Sequence, residues 1–385
     1  MTRPLLARHL DGLGTTIFAE MSALARTTGA INLGQGFPDT DGPAEVIEVA
    51  VAAMRDGVNQ YPPGDGIPDL RLAVAEHRQR FYGQTFDPDT EVLVTTGATE
   101  AIAASLLALL EPGDEVIALE PFYDSYAACI AMAGARRVGV TLRPPHFRPD
   151  LDELRAAVTD RTRVIMLNSP HNPTGTVLTR AELEAVAAVA IEHDLIVITD
   201  EVYEHLVYTG EHIPLSTLPG MRERTVTISS AGKTFSFTGW KIGWVCAPKE
   251  LIAAVRTTKQ FLTYTSGAPF QPAIAHALRL PDTYFTGLRD DLRDKRDLLS
   301  GGLRAAGLTV YEPQGTYFTT TDITPLGYAD GLDFCRRLPE LCGVVAVPEV
   351  VFFDDAAVGL PLVRFAFCKR VEVLEEAVKR LATLA

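Results

Sequence analysis

Between residues 92 and 233 the chain alternates short, mostly apolar runs with stretches of helical period. Residues 92–95, 116–119, 164–167, 195–199 and 226–228 are apolar except for Thr95, Thr199 and Thr227, and lack the regular polar alternation of strands with one wet face. Strands that read as continuous apolar runs are buried on both faces. The helical patterns between them, such as 101–110 with Ile102, Leu106 and Leu110 on one stripe, and 181–193, supply the cover. This predicts an α/β fold: a mostly parallel sheet with helices on both faces. Ligands on such sheets bind beyond the carboxyl ends of the strands.

The chemistry-bearing residues stand at those strand ends. Gly97, Ala98 and Thr99 follow the first run and open a helix, where free backbone N–H groups and the helix dipole suit an anion. Tyr123 leaves the second run among aromatics, placed for ring stacking. Asn172 lies between two prolines, which predict a rigid, extended path. Asp200 ends the apolar run LIVIT, a costly place for a carboxylate without a cationic or N–H partner. Lys233 follows Ser230, Ala231 and Gly232, small residues that leave room for a large group against its amine. A lysine so framed can form a Schiff base with a cofactor aldehyde.

Two nucleotide motifs fail. Gly232-Lys233-Thr234 resembles the tail of a phosphate-binding loop, but that loop needs a glycine where Thr227 stands. Gly34 and Gly36 could open a dinucleotide fingerprint, but Asp39 replaces its last glycine and Pro38 sits inside it. The INLGQGFPD segment is better read as a loop whose bare backbone lets a ligand approach. Residues 57–70 form a second loop, dense in Gly, Pro and Asp, with Tyr61 its one large polar-tipped side chain.

Composition narrows the partners. Net charge is −14, from 49 acids against 35 bases, which argues against a general nucleic-acid or membrane surface. The five cysteines form no C-x-x-C pair, so a reducing cytoplasm is expected. No H-E-x-x-H or paired-histidine spacing occurs, and no metal site is expected. No apolar run reaches the length of a membrane span, and the first residues lack the form of a secretory signal.

Composition shifts after Phe285 to a long helix rich in Arg and Asp, 288–304, and then to strands near Tyr317, Val344 and Val363. This reads as a smaller α+β domain. The division expected is an N-terminal segment (1–45) joining that small domain, a large domain (46–285) and a C-terminal small domain (286–385). Arg364 lies inside an apolar strand. It either closes an internal salt bridge or captures a substrate carboxylate in a two-pronged bond.

With these residues placed, the chain resembles the fold-type I pyridoxal-phosphate-dependent aminotransferases of class I/II, from INLGQGFPD to LVRFAFCK. NSPHNPTG, ITDEVY and SSAGKTFSFTGWKIGW are specific to that family in combination. The likeness is closest to the branch of kynurenine, glutamine and methionine aminotransferases, which also holds N-succinyldiaminopimelate aminotransferases. The resemblance implies that Lys233 carries pyridoxal 5'-phosphate as a Schiff base and then moves the proton. It implies that Asp200 pairs with the pyridinium nitrogen, that Tyr203 and Asn172 meet the ring oxygen, and that Tyr123 stacks on the ring. Ala98, Thr99, Ser230 and Lys241 would hold the phosphate, with Tyr61 reaching in from the second subunit of a homodimer. Gly34, Asn172 and Arg364 would meet the substrate carboxylate. Many members have phenylalanine at the place of Tyr123 and tyrosine at that of Thr99. The activity implied is ping-pong transfer of an amino group from an amino acid to a 2-oxo acid such as 2-oxoglutarate. N-succinyl-LL-diaminopimelate, kynurenine, glutamine and methionine are the candidate donors. Phe18, Gly36 and residues 261–270 are candidates for shaping donor specificity. The same fold serves carbon–sulfur β-lyases, which would release pyruvate without an acceptor. It also serves the non-catalytic domains of transcription regulators, whose added DNA-binding segment finds no room before the family pattern here.

Overall fold

The apolar runs become one seven-stranded sheet. Across it lie Val92–Thr95, Gly243–Cys246, Thr225–Ser230, Ile196–Asp200, Thr162–Asn168, Glu115–Glu120 and Arg136–Thr141, in that order. Neighbours are parallel except at Gly243–Cys246, which is antiparallel to both of its partners. The computed structural model describes residues 6–10, 14 and 16–384. Glu115–Glu120 and Thr225–Ser230 are buried along their whole length. The pleat sends successive side chains to opposite faces. Val197 packs with Leu183 and Val186 on one face, whereas Ile198 packs with Ile102, Leu106 and Ile252 on the other.

A second, four-stranded antiparallel sheet follows the order Val347–Pro348, Leu362–Ala366, Phe318–Asp322, Thr309–Tyr311. Ile31–Asn32 pairs in parallel with Val344–Val345. Helix Ile17–Thr28 buries Ile17, Met21 and Ala25 in the cluster that holds Phe334, Leu299 and Leu374. The long charged helix starts earlier than its composition suggests, at Asp282, and runs to Ala305. It buries Phe285 against the core of the large sheet and Leu299 and Leu303 in the other core, so the 285/286 division falls within one continuous rod.

Three elements escape the apolar-run reading. Helix Asp124–Met132 mixes polar and small residues, and strand Arg136–Thr141 is an edge strand carrying two arginines. Strand Gly243–Cys246 lies in the lysine segment itself. The path through Asn172 also differs from the extended one suggested by its prolines. The N–H of Gly175 donates to His171 O at 2.8 Å and that of His171 to Thr176 O at 2.8 Å, so the segment closes into a turn.

Candidate active site

The carboxyl ends of the large sheet open into a cavity of about 920 Å3. Ala98, Thr99, Tyr123, Asn172 and Asp200 line it, and so do Tyr203, Ser230, Lys233, Lys241 and Arg364. Loops separated by up to 266 positions in the chain (98 to 364) thus meet at one place.

One end of the cavity is built for an anion. Helix Gly97–Leu109 begins as soon as strand Val92–Thr95 stops, and Thr96 makes no side-chain cap to it. The first-turn N–H groups of Ala98 and Thr99 have no intrahelical acceptor by position. Gly97 has a positive φ of 73°, and a β-carbon there would come within 3.2 Å of Lys241 Nζ. Lys241 itself holds a left-handed φ of 54°, a strained conformation of the kind kept at functional sites. With the Ser230 hydroxyl, these N–H groups and one ammonium form a cradle for a phosphate.

Asp200 is buried at the end of its strand. Tyr126 Oη donates to its Oδ2 at 2.6 Å and the Val202 N–H donates to its Oδ1 at 3.3 Å. Burial pushes the carboxyl above its usual range, while these two bonds and Lys233 pull it back. The partner demanded by the sequence is therefore a phenol and an N–H, with a cation as neighbour. Asn168 ties the two loops together. Its amide donates to Asp200 O at 2.8 Å, and its Oδ1 accepts the Asn172 N–H at 2.7 Å.

Lys233 points into the cavity, its Nζ 3.4 Å from Gly36 O and 5.9 and 5.7 Å from the ring centres of Tyr203 and Tyr317. Burial lowers its pKa to about 8, with Asp200 and Cys368 opposing and Arg364 and Lys241 reinforcing. About a tenth of this amine is neutral at pH 7, far more than for a free lysine, and that is the form that can attack a carbonyl or take a proton. Tyr203 is buried edge-on to Tyr317, with ring centres 5.3 Å apart.

Arg364 closes no salt bridge among the described residues. One terminal nitrogen donates to Asn172 Oδ1 at 2.9 Å and the other to Gly34 O at 3.1 Å. Its Nε is buried without an acceptor. The guanidinium lies 4.0 Å from the ring centre of Phe318 and 5.1 Å from that of Phe18. A buried cation with an orphaned donor beside a cavity calls for an anionic ligand. Gly34 contributes its carbonyl to this arrangement and does not itself line the cavity.

Tyr61 stands apart. It is 83% exposed, packs edge-on against Tyr264, and does not line the cavity of its own chain. The structure also adds residues that the motifs did not single out: Tyr126, Asn168, Tyr317 and Phe318. Tyr126 lies in the first turn of helix Asp124–Met132, whose N-cap is Tyr123, and no spacing in the sequence marks its contact with Asp200. Tyr317 and Phe318 carried none beyond their strand pattern.

Behind the Asp200 loop lies a buried ionic knot. Arg78 donates to Glu201 at 3.0 Å and to Glu204 at 3.2 Å, and Ser229 donates to Glu204 at 2.6 Å. His77, His205 and His212 border these carboxylates closely enough to make metal-like groupings. Arg78, Ser229 and Thr199 already engage the four carboxylate oxygens of Glu201 and Glu204.

The residues present fit the expected cofactor. The cradle of N–H groups and Lys241 suits its phosphate, the Lys233 amine suits its aldehyde, and Asp200 suits a protonated ring nitrogen. Comparison with known proteins points the same way. The family model described as aminotransferase class I and II matches residues 28–381. The probable N-succinyldiaminopimelate aminotransferase DapC of Mycobacterium tuberculosis is 56% identical over 98% of this chain and 98% of its own. The methionine aminotransferase of Escherichia coli K12 is 42% identical over 99% of each. The solved structure of an N-succinyldiaminopimelate aminotransferase from M. tuberculosis superposes with a TM-score of 0.97, covering 99% of this chain and 100% of that one at 56% identity.

Proposed function

The chain belongs to the class I and II aminotransferases and is a pyridoxal-phosphate-dependent transaminase; from that premise we propose that its amino donor is N-succinyl-LL-diaminopimelate and its acceptor 2-oxoglutarate. The observation that carries the reading is the meeting of three groups in one cavity: Lys233, Asp200 and the unsatisfied Nε of Arg364. The relative that is 56% identical along its whole length bears the name of this donor's aminotransferase. Methionine and kynurenine, the donors in the names of relatives at 42% and 39% identity, are the competitors.

The cofactor, when bound, supplies an aldehyde that takes up the amino group and a ring that accepts the electrons of the donor's Cα–H bond. Ala98, Thr99, Ser230 and Lys241 would hold the phosphate, and Tyr123 would cover the ring. Asp200, steadied by Tyr126, would keep a proton on the ring nitrogen. Tyr203 and the Asn172 amide would meet the ring oxygen. Arg364 binds the donor α-carboxylate, which satisfies its free Nε and fixes which bond at Cα is broken. The neutral Lys233 amine takes the proton from Cα and later returns it, a task suited to a pKa near 8. Phe18, Phe122 and Val351 add apolar surface to the lining of the same cavity.

The division proposed is an N-terminal segment (1–45) that joins a C-terminal small domain (286–385), beside a large cofactor domain (46–285). The enzyme acts in the cytoplasm as a homodimer in which Tyr61 completes the partner's phosphate site. Its exposure beside Tyr264, Leu262 and the 83% exposed Phe261 supports a partnered apolar surface. The five thiols form no disulfide, which supports a reducing compartment. The test is a panel of donors with 2-oxoglutarate, reading glutamate formed. Highest kcat/KM with N-succinyl-LL-diaminopimelate supports the reading. A tenfold advantage for methionine or kynurenine overturns it.

A further inference from the structure

Among the described residues, four cationic side chains line the cavity: Lys233, Lys241, Arg364 and Arg336. The first three are absorbed by the Schiff base, the phosphate and the α-carboxylate. Arg336 has no task in that scheme. It lies on helix Gly331–Cys342, one turn after Leu332, and both face the cavity. Across from it, helix Ile17–Thr28 contributes Phe18 and Glu20 to the same wall.

Arg336 is held by one edge only. Its Nε donates to Glu20 Oε1 at 2.8 Å, and among the described residues nothing accepts from its two terminal nitrogens. The pair sits at the rim, with the arginine side chain 53% and the glutamate 41% exposed. An exposed ion pair of this kind contributes little to stability. Its geometric effect is larger, because a guanidinium tethered at Nε presents its terminal fork in a set direction. Helix Ile17–Thr28 also carries Phe18, which packs 5.1 Å from the guanidinium of Arg364. One helix therefore sets the position of both arginines, an inner one and an outer one.

We propose that Arg336 is a second carboxylate subsite, which takes the carboxylate at the far end of a long amino donor, with Glu20 as its positioning residue. This rests on the transaminase reading above and names the substrate class: α-amino acids with an anionic tail. N-succinyl-LL-diaminopimelate belongs to that class, and methionine and kynurenine do not. Glu20 engages Nε alone, which leaves the two terminal nitrogens for the tail carboxylate.

The test uses the holoenzyme and a matched pair of donors, 2-aminopimelate and 2-aminoheptanoate, which differ only in the terminal carboxylate. Wild type should prefer the dicarboxylate. Arg336→Ala should reduce the ratio of the two kcat/KM values about tenfold or more, carried by KM, as expected for loss of one charge-assisted pair. Arg336→Glu should invert the preference, and Arg336→Lys should keep part of it. High salt should compress the wild-type ratio towards that of Arg336→Ala. An unchanged ratio in Arg336→Ala and Arg336→Glu overturns the proposal, as does an equal fall in kcat for both donors or a wild type that does not discriminate. Failure of the wild type with N-succinyl-LL-diaminopimelate would refute that donor alone. A ratio still governed by Arg336 would leave the subsite standing.

Discussion

Replacing Lys233 with methionine in the cofactor-free protein should stabilise the fold at neutral pH and lose that advantage in base. The lysine titrates at 10.5 when free and at about 8 in the folded chain, where burial disfavours its charged form. A folded pKa below the unfolded one means that folding expels a proton between those two values. The resulting destabilisation is complete below about pH 8 and fades as pH rises through 10.5. At about 1.36 kcal/mol per unit, the penalty is about 3 kcal/mol at pH 7 and about 1 kcal/mol at pH 9.5. Methionine is close in volume and carries no charge, so it escapes this penalty. One offset, the altered packing, is independent of pH over this range, and the attraction between Asp200 and the ammonium is already contained in the folded value of about 8. The change between the two pH values, about 2 kcal/mol, therefore isolates the amine. Urea unfolding of wild type and Lys233→Met at both pH values measures it. A stability difference that is the same at pH 7 and pH 9.5 would refute the claim that the buried amine is held against its charge.

Other outcomes follow from the same geometry. Asp200→Asn should retain the cofactor through its phosphate yet lower turnover about a hundredfold or more, since it removes a preorganised charge at the ring; absorbance of the purified protein and single-turnover kinetics report the two separately. Arg364→Leu should lower kcat/KM about a hundredfold through KM, and Arg364→Lys should restore little, because one ammonium cannot serve Asn172, Gly34 and a carboxylate together. Mixing inactive Lys233→Ala with inactive Tyr61→Ala should recover measurable activity if sites are shared across a dimer; no recovery at any ratio counts against sharing. Arg78→Met should cost about 3–5 kcal/mol by stranding Glu201 and Glu204, readable as a lowered melting temperature.

Much of the site could be read because the sheet imposes a common address. Lys233, Asp200 and Asn172 each follow an apolar run, and the parallel register Asn168 to Asp200 and Asp200 to Ile228 puts those runs in step. The resemblance to the family named the same positions. Less legible were residues whose role depends on a tertiary neighbour. Nothing in the sequence around Tyr126 says that its hydroxyl will meet a carboxylate 74 positions away. The antiparallel strand Gly243–Cys246 starts within the last residues of the lysine motif and has no apolar run of its own before it. Arg364 is ambiguous for the same reason: a charge inside a strand fits a salt bridge or a ligand, and its neutral acceptors, Asn172 Oδ1 and Gly34 O, cannot be read from the strand pattern.

The arrangement also explains why the loop after Asp200 is so acidic. Asp200 faces the cavity, whereas Glu201 and Glu204 turn away from it and clamp Arg78. Burial alone would push both of those carboxyls up, yet Arg78 holds Glu204 down to about 2. Ser229, one residue before the cradle serine, joins the same clamp. The ionic knot thus ties the loop that carries Asp200 and Tyr203 to the strand that delivers Ser230 and Lys233. A buried ion pair adds little net stability compared with apolar packing. Its contribution here is direction: the acid, the phenol and the amine are fixed relative to one another by charges that never enter the chemistry. A cavity that must meet both a ring and an amine needs that fixity, because reacting groups misplaced by about 1 Å lose about a hundredfold in rate.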